Sequence, residues 1–338
     1  MNALACVAPV IPARMKGAVL TEQGIAMQDL PVPRPGATEL LIKVRASSLN
    51  RADLFLVDGR AHGGHGGAGS QLGLEWSGDV VAVGAEVTAF QVGDKVMCSG
   101  IGGLSEYAVA DWRRSFAFPQ RDLGYAAAAC LPVSLRTTHV AIATTGQLRK
   151  GESVLVLGAS SGVGLMSLQV ARLLGAGLVI GTSTKADRRA RLGEFGADAA
   201  IDSNDADWAE QVLEQTAGRG VDLVIDFLAG PLINDSMRAV KVGGRIVNVG
   251  RMAGESGAFD FDLHSLRRIQ YLGTTFRTRS ADEVHTIQQQ VRADLWPALE
   301  AGQLGVPIDA TLPIARAQEA FALMRANGHF GKIVLTHP

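Results

Sequence analysis

The segment SVLVLGASSGVGLMSLQVARLL, residues 153–174, indicates the fold of this chain more directly than any other stretch. Its start, Val-Leu-Val-Leu at 154–157, is apolar on every side, as a strand in a parallel sheet covered on both faces must be. A glycine-rich turn at 158–164 follows, and an apolar helical pattern continues to residue 174. Such a strand-to-helix turn offers free backbone N–H groups at the positive end of the helix, where the pyrophosphate of a dinucleotide binds.

The glycine-rich turn departs from the common G-x-G-x-x-G pattern. Ala159 and Ser161 stand at the first two glycine positions, whereas Gly164 keeps the third. Gly162 still lets the backbone approach a phosphate, and Gly164 still lets the helix pack closely on the strand. The motif is weak by itself, because many such turns are only turns. Within a long α/β alternation it predicts a cofactor site that includes Ser160, Ser161, Gly162 and Gly164.

That alternation continues through the second half of the chain. The predicted elements are strands at 178–182, 199–202, 223–227, 245–249 and 332–335, and helices at 135–146, 163–174, 186–195 and 281–301. Strands that alternate with helices are typical of a doubly wound parallel sheet, so the predicted fold class is α/β.

The residues after the second strand of this sheet favour NADPH over NADH. An NADH site usually carries Asp or Glu there, on the ribose 2′-hydroxyl. Here Thr182, Ser183, Lys185 and Arg188 supply hydroxyls and cations instead, as a 2′-phosphate requires. The alternative is a solvated first turn of a helix, in which Asp187 neutralises one of the cations.

The region from Met15 to about Asp111 has a different pattern. Its short apolar runs, such as 40–44, 80–83 and 95–97, are separated by Gly, Pro and Asp. This pattern predicts a β-rich, barrel-like domain in front of the parallel sheet.

The glycine-rich segment Gly59–Gly69 interrupts this domain. It cannot form a regular element, so we expect a mobile surface loop. Because it follows the segment 50–53 closely, we expect it at the rim of the cleft between the domains, leaving that cleft open to a bulky, planar acceptor. Arg60, His62 and His65 are its polar side chains, and we interpret the two histidines as incidental rather than as metal ligands.

Composition narrows the classes of function. At 338 residues the chain suits two domains, and a formal net charge of −1 gives no bulk attraction to nucleic acid or anionic lipid. Cys6, Cys98 and Cys130 form neither a disulfide framework nor a zinc-finger pattern, so we expect a reducing compartment and a cytoplasmic location. No run approaches the roughly 20 apolar residues that cross a bilayer. Residues 1–14 are expected to form an extension.

Five further segments carry a resemblance to a known family. They are LNRADL at 49–54, GLEWSG at 73–78, VGDKV at 92–96, GTTFRTRS at 273–280 and HFGKIVL at 329–335. In these segments the chain resembles the quinone oxidoreductase branch of the medium-chain dehydrogenase/reductase superfamily, the zeta-crystallin-like enzymes. The resemblance implies a GroES-like β-barrel domain, residues 1–137 and 277–338, and a Rossmann domain, residues 138–276. It also implies a homodimer joined along Rossmann edge strands, here at 271–276.

The resemblance further implies an enzyme that works without zinc. The zinc-dependent branches carry a cysteine, a histidine before a glutamate and a further ligand around one metal. Here Asn50 stands at the cysteine position and Leu74 at the histidine position before Glu75, and the four-cysteine structural lobe is missing. These positions lack the soft and imidazole ligands of a tetrahedral zinc site.

Individual roles follow from position matches with the family. The resemblance implies that Asn50 and Thr137 face the nicotinamide and the acceptor, and it makes Asp53 a candidate for orienting groups or relaying a proton. The alternative for Asp53 is a residue that fixes the turn, and the alternative for Glu75 is a buried structural hydrogen-bonder. The residues implied on the cofactor side are Val163, Phe227, Leu228, Val249, Gly250, Thr275, Phe276, Asn327 and Lys332.

Three functions remain open at this point. The leading one is NADPH-dependent reduction of a quinone, because a conjugated acceptor yields a weakly basic anion that an amide such as Asn50 stabilises without a metal. The second is reduction of an enal or an enoyl thioester, which needs a proton donor, and none of Tyr107, Tyr125 and Tyr271 has a convincing position. The third is an NADPH-bound module that binds nucleic acid or protein with little turnover. The neutral net charge argues against it.

Overall fold

The strands and helices form where the sequence has its short apolar runs. A computed structural model describes residues 10–59, 67–121 and 123–338. The strands are β1 (Arg14–Thr21), β2 (Gly24–Pro31), β3 (Glu39–Ser48), β4 (Glu75–Val83), β5 (Lys95–Ser99), β6 (Tyr107–Asp111), β7 (Ser115–Ala117), β8 (Ser153–Leu157), β9 (Leu178–Thr182), β10 (Ala199–Ile201), β11 (Val221–Asp226), β12 (Val240–Asn248), β13 (Gln270–Gly273), β14 (Ile308–Pro313) and β15 (Lys332–Thr336). The α-helices are α1 (Arg51–Val57), α2 (Tyr125–Ala128), α3 (Pro132–His139), α4 (Gly162–Leu173), α5 (Ala186–Arg189), α6 (Trp208–Gln215), α7 (Ile233–Ala239), α8 (Phe261–Arg267), α9 (Ala281–Glu300) and α10 (Ala317–Ala326).

These elements form two units. The first contains residues 1–133, 277–289 and 308–338, and the second contains residues 134–276 and 290–307. The segment 290–307 therefore groups with the second unit, whereas the resemblance implied that all of 277–338 belongs to the first. Most of the predicted glycine loop, including Arg60, His62 and His65, and most of the predicted extension lie outside the described residues.

The first unit is built around a mixed sheet in the order β14-β15-β3-β4-β5-β7, with β6 pairing along β3, and a separate β1–β2 hairpin. Strand β15 comes from the end of the chain and pairs antiparallel with β3, where Val334 lies opposite Ser48. Strand β4 pairs antiparallel with β3 on the other side. Because β3 ends at Ser48, β4 begins at Glu75 and β15 begins at Lys332, three strand ends meet at one place.

The second unit is a six-stranded parallel sheet in the order β10-β9-β8-β11-β12-β13. Numbered along the chain within this unit, the order is 3-2-1-4-5-6, which is the arrangement of dinucleotide-binding Rossmann sheets. Residues 154–157 of β8 are fully buried, as a strand covered on both faces requires. The predicted α/β class and the doubly wound parallel sheet are confirmed.

Two predicted helices differ in the structure. The segment 186–195 forms α5 and then a separate 3₁₀ turn at Leu192–Phe195, not one helix. Leu192 is its only buried apolar side chain, so little apolar contact stabilises a continuous helix there. The segment 135–146 forms the end of α3 and a π-helical turn at Val140–Thr145. Helix α3 begins three residues earlier than predicted, at Pro132, whose missing N–H is tolerated in a first helical turn.

Two features bear on partners and membranes. Strand β13 is an edge strand of the second unit's sheet, although it ends at Gly273 and not at Phe276. A dimer along this edge stays a prediction.

The helical run Tyr125–Thr145 is long and apolar enough to cross a membrane, which sequence reasoning did not anticipate. However, 72% of its apolar window is buried inside the protein, as in the core helix of a soluble protein.

Candidate active site

Five polar side chains lie together where the strand ends of the first unit meet. Ser48 ends β3, Glu75 begins β4 and Lys332 begins β15, while Asn50 and Asp53 lie at the start of α1. These five residues are called the polar cluster below. Ser48, Asp53 and Glu75 are fully buried and Lys332 is 3% exposed. Asn50 is partly exposed, so it is the member of the cluster that reaches the surface of this unit.

The ammonium of Lys332 is held inside the protein by three acceptors. Its Nζ lies 2.7 Å from Glu75 Oε2, 2.8 Å from Asn50 Oδ1 and 3.2 Å from Ser48 Oγ. An ammonium has three N–H donors, so all of them are used within the polar cluster. The cofactor contact that the resemblance implied for Lys332 stays a prediction, and the structure shows its N–H donors bonded within the polar cluster.

The carboxylate of Glu75 is the acceptor at the centre of the polar cluster. Its Oε2 accepts from Ser48 Oγ at 2.7 Å and from Asn50 Nδ2 at 3.0 Å, in addition to Lys332 Nζ. Its Oε1 accepts from the backbone N–H of Val133 at 2.8 Å. A buried charge is tolerated when it is both paired and hydrogen-bonded, and Glu75 meets both conditions.

Asp53 fixes the start of helix α1. Its Oδ2 accepts from the backbone N–H of Asn50 at 2.8 Å, and its own backbone N–H donates to Asn50 O at 2.9 Å. The other carboxyl oxygen, Oδ1, is buried and has no hydrogen-bond partner in the described part of the chain. Burial raises the pKa of this carboxyl to about 7. The geometry therefore supports the turn-fixing role of Asp53, and the raised pKa belongs to the same carboxyl group.

The three tyrosines of the chain lie elsewhere. The side chain of Tyr125 donates to Asp79 Oδ1, and burial together with this bond raises its pKa to about 12. Tyr107 is 8% exposed on β6, and Tyr271 is 41% exposed on the edge strand β13 of the other unit. Within the described residues, none of them joins the polar cluster as a proton donor.

The glycine-rich turn of the second unit has the form that a pyrophosphate site needs. Gly158 has a φ of +78°, a conformation that favours glycine. Ser161 caps α4, since its Oγ accepts from the backbone N–H of Gly164 at 3.1 Å. A Cβ on Gly164 would lie 2.5 Å from Gly158 O, so only glycine permits this packing of helix on strand. Ser160, Ser161 and Gly162 lie in the same turn, and Val163 is partly exposed on the first turn of α4.

Two hydroxyl groups at the carboxyl end of β9 stabilise this turn by hydrogen bonds. Thr182 Oγ1 accepts from the backbone N–H of Gly158 at 3.1 Å, and Ser183 Oγ donates to Ser160 Oγ at 2.9 Å. Both residues are buried, with 0% and 4% exposure. Two of the four groups predicted for a 2′-phosphate are thus engaged in holding the glycine-rich turn.

The cations after β9 differ in exposure. Lys185 is exposed directly before α5, whereas Arg188 is only 7% exposed. Sequence reasoning missed Arg189, which lies 2.6 Å from Asp202 and donates to the backbone oxygen of Ser183 at 2.9 Å. Asp187, the carboxylate weighed as a neutralising partner, is exposed. Lys185 is therefore the predicted cation that solvent, and a phosphate, reaches most readily.

Further predicted cofactor residues follow three neighbouring strands. Phe227 and Leu228 come directly after β11, Val249 and Gly250 after β12, and Thr275 and Phe276 shortly after β13. In open α/β sheets, ligands bind outside the carboxyl ends of the strands. Thr137 belongs to the same unit and is partly exposed on α3. Asn327 belongs to the first unit, where it ends α10 with a φ of +53° and accepts from Arg51.

Sequence reasoning missed Asp226, the last residue of β11. Its Oδ1 accepts from the backbone N–H groups of Leu228 and Ala229, both at 2.8 Å, and so shapes the turn at the carboxyl end of the strand. Burial raises the pKa of this carboxyl. The available signal was an acidic residue at the end of an otherwise apolar strand.

Two family profiles match the chain in the order of its two units. The profile described as alcohol dehydrogenase GroES-like domain matches residues 36–120, and the one described as zinc-binding dehydrogenase matches residues 162–292. Together the matched segments cover more than half of the chain.

Individual relatives carry different activities in their names. The CurK enoyl reductase is 26% identical with a TM-score of 0.83, and 96% of this chain and 99% of that one are covered. A mycobacterial quinone oxidoreductase is 27% identical with a TM-score of 0.82, covering 95% and 99%. A mycocerosic acid synthase-like polyketide synthase of Mycobacterium tuberculosis is 28% identical over 96% of this chain and 15% of that protein.

The chain spans between 8% and 18% of the length of the polyketide synthases and hybrid synthetases that it matches in this way. In this chain a GroES-like domain is followed by a parallel sheet with a glycine-rich turn. The chain therefore belongs to the medium-chain dehydrogenase/reductase superfamily, and it is an oxidoreductase of that type.

Proposed function

We propose that this chain uses NADPH to reduce a conjugated carbonyl acceptor, with a quinone as the leading acceptor, and that it does so without zinc. The polar cluster carries the proposal, because it presents an amide donor, Asn50, backed by a buried ammonium, Lys332. Reduction of a conjugated carbonyl places delocalised negative charge on an oxygen. Preorganised N–H donors are sufficient to stabilise such a weakly basic anion.

The donor set does not fit the zinc that one matched family description names. Asn50 and Leu74 stand where the resemblance places metal ligands, and an amide and an alkyl chain are poor partners for this metal. The ammonium of Lys332 already pairs with Glu75, the one carboxylate at these positions. Across residues 10–59, 67–121 and 123–338, no group of three His, Cys, Asp or Glu side chains has the arrangement of a metal site. No catalytic step is therefore assigned to a metal.

Prolonged dialysis against a strong chelator is expected to leave turnover unchanged, because the polar cluster supplies its positive charge from Lys332. Turnover and bound metal are measured on the same sample before and after dialysis. Loss of turnover that added zinc restores would contradict the zinc-free mechanism.

A nicotinamide dinucleotide fits the second unit. The N–H groups of the glycine-rich turn and the start of α4 would hold the pyrophosphate, and the Cβ-free approach at Gly164 keeps that helix close to β8. When bound, the nicotinamide supplies a hydride. The chain's own contribution is then to bind the acceptor oxygen through the amide of Asn50.

The substitution Lys185→Ala is expected to weaken NADPH binding about tenfold and to leave NADH binding unchanged. A charge-assisted bond to a phosphate contributes about 1.5–3 kcal/mol, and tenfold in affinity is about 1.4 kcal/mol. Lys185 is preferred to Arg188 because Arg188 is largely buried, so that its removal would also change packing. Dissociation constants for both cofactors give the measurement.

Lys150→Ala serves as the matched control, since Lys150 is exposed before β8, at the amino end of the same sheet. Its variant is expected to bind both cofactors like the wild type. Equal wild-type affinities for NADPH and NADH, or a Lys185→Ala variant with unchanged preference, would refute the NADPH assignment.

The position of the tyrosines favours a quinone over an enoyl substrate. A quinone needs protons only on oxygen, where they exchange with solvent, whereas an enoyl group needs a proton delivered to carbon by a placed acid. Tyr125 is bound to Asp79, and Tyr107 is buried on β6. Enoyl reduction remains the second candidate because relatives named as an enoyl reductase and as polyketide synthases match nearly the whole chain.

NADPH oxidation over a panel of quinones, enals and enoyl thioesters tests the proposal. We expect kcat/KM for the best quinone to exceed that for the best enoyl compound by about tenfold or more, a barrier difference of about 1.4 kcal/mol. Turnover confined to enoyl thioesters would establish the second candidate instead. Tight NADPH binding without turnover of any acceptor would contradict both reductase candidates and support the third one, a module that binds nucleic acid or protein.

A further inference from the structure

The carboxamide of Asn50 is held between two opposite charges. Its Oδ1 lies 2.8 Å from the ammonium of Lys332, and its Nδ2 lies 3.0 Å from the carboxylate of Glu75. Rotating the amide by 180° would place its NH₂ group against the ammonium and its oxygen against the carboxylate. Both contacts would then be repulsive in a buried setting, where charge interactions are strong. The ion pair thus allows a single orientation of the amide.

This fixed orientation leaves one donor available. The amide has two N–H groups, and the described part of the chain provides an acceptor, Glu75, for one of them. Because the ammonium of Lys332 draws electron density toward Oδ1, it strengthens the remaining N–H as a donor. Asn50 is also partly exposed, unlike Ser48, Glu75 and Lys332.

We propose that Lys332 and Glu75 are positioning residues for catalysis: together they lock the carboxamide of Asn50 so that one polarised N–H is presented to the acceptor oxygen. The ammonium acts through the amide, since its own three donors are used inside the cluster. The inference rests on the proposed reduction of a conjugated carbonyl and deepens it. It assigns to a buried ion pair the task of polarising the group that meets the substrate.

The double variant Glu75→Gln/Lys332→Met separates positioning from folding. A neutral glutamine keeps its oxygen as the acceptor for Val133 N–H and turns its NH₂ group toward Ser48 Oγ, and methionine fills the apolar space of the lysine chain, so we expect the fold to be retained. That NH₂ group also lies where Glu75 Oε2 accepts from Asn50 in the wild type, so the wild-type orientation of the Asn50 amide loses both of its charged partners. We expect kcat for the best acceptor to fall about 30- to 100-fold, with the KM for NADPH unchanged.

Arg45→Met is the matched control, because it removes a cation from another ion pair of the same sheet, Arg45 Nε to Asp79 Oδ2 at 2.8 Å. Its kcat is expected to equal that of the wild type. A double variant that melts like the wild type and also keeps the wild-type kcat would overturn the proposal.

The side-chain amide signals of Asn50 give a readout that needs no turnover. They are observed in the NADPH-bound protein labelled with ¹⁵N-asparagine and are identified by their loss in Asn50→Leu. We expect slow hydrogen exchange of the N–H bound to Glu75 in the wild type, and in the double variant shifted signals that exchange rapidly with solvent. The two protons stay distinct in both proteins, because the amide C–N bond does not rotate freely. Identical signals in both proteins would overturn the locked amide. If no acceptor is turned over while the wild-type signals are locked, the proposed function fails and the positioning by Lys332 and Glu75 stands.

Discussion

Lys332→Met alone is expected to lower the free energy of unfolding by about 3–5 kcal/mol, because it leaves the carboxylate of Glu75 buried without a compensating charge. The two side chains are 4% and 0% exposed, and their charged atoms are 2.7 Å apart. Adding Glu75→Gln removes the stranded charge, so the double variant is expected to recover most of the loss. Urea unfolding at pH 7, followed by circular dichroism and by tryptophan fluorescence, gives the measurement.

The Arg45–Asp79 pair supplies the comparison for this stability effect. Its side chains are 34% and 24% exposed, so solvent screens the charges. Pairs near the surface contribute about 0.2–1 kcal/mol, and Arg45→Met is expected to cost no more than that. A Lys332→Met variant as stable as Arg45→Met would mean that water reaches Glu75 and that the pair is not buried in solution.

Asp53→Asn is expected to flatten the pH dependence of stability by about 4 kcal/mol between pH 4 and pH 8. Burial raises the pKa of Asp53 to about 7 in the folded protein, against about 3.9 in an unfolded chain. The folded state therefore holds this proton more tightly. The stabilisation is complete below pH 4 and is lost as the pH rises through 7. About three pKa units at about 1.4 kcal/mol each give the stated magnitude.

Asparagine at position 53 keeps an acceptor for the backbone N–H of Asn50 and cannot ionise. The midpoints of unfolding of wild type and variant are compared at pH 4 and pH 8. The wild type should lose stability relative to the variant at the higher pH. Asp29→Asn is the control, since Asp29 is exposed and its pKa is lowered by Lys16, the opposite direction. Parallel pH curves for wild type and Asp53→Asn would show that Asp53 is ionised throughout.

Local sequence patterns were sufficient to predict the strands and the glycine-rich turn of the second unit. The apolar run at 154–157, the glycine-rich turn and the alternation after it depend on residues that are neighbours in sequence, and strand β9 begins and ends at the predicted residues, 178 and 182. The predicted ends of a helix were wrong where tertiary packing determines how far the helix extends. The segment 186–195 has helical composition, yet with Leu192 as its only buried apolar side chain it breaks into α5 and a 3₁₀ turn.

Side-chain roles were harder to predict than elements. Thr182 and Ser183 were predicted to meet a 2′-phosphate because of their chemistry, but their hydroxyls bond to Gly158 and Ser160 inside the turn. Sequence shows that a hydroxyl is present after a strand; it does not show which neighbouring strand or turn satisfies that hydroxyl. The same holds for Arg189, whose partner Asp202 lies beyond the next strand.

Hydrophobic period and glycine placement are local properties, so they were sufficient to predict a dinucleotide-type parallel sheet and a β-rich domain. The role of Lys332, in contrast, depends on contacts between segments that are distant in the chain. Its ammonium meets Ser48, 284 positions earlier in the chain, because β15 pairs antiparallel with β3 in a register that aligns their ends. Register is set by contacts between distant segments, and a buried charge is stable only where that register also brings it a partner such as Glu75.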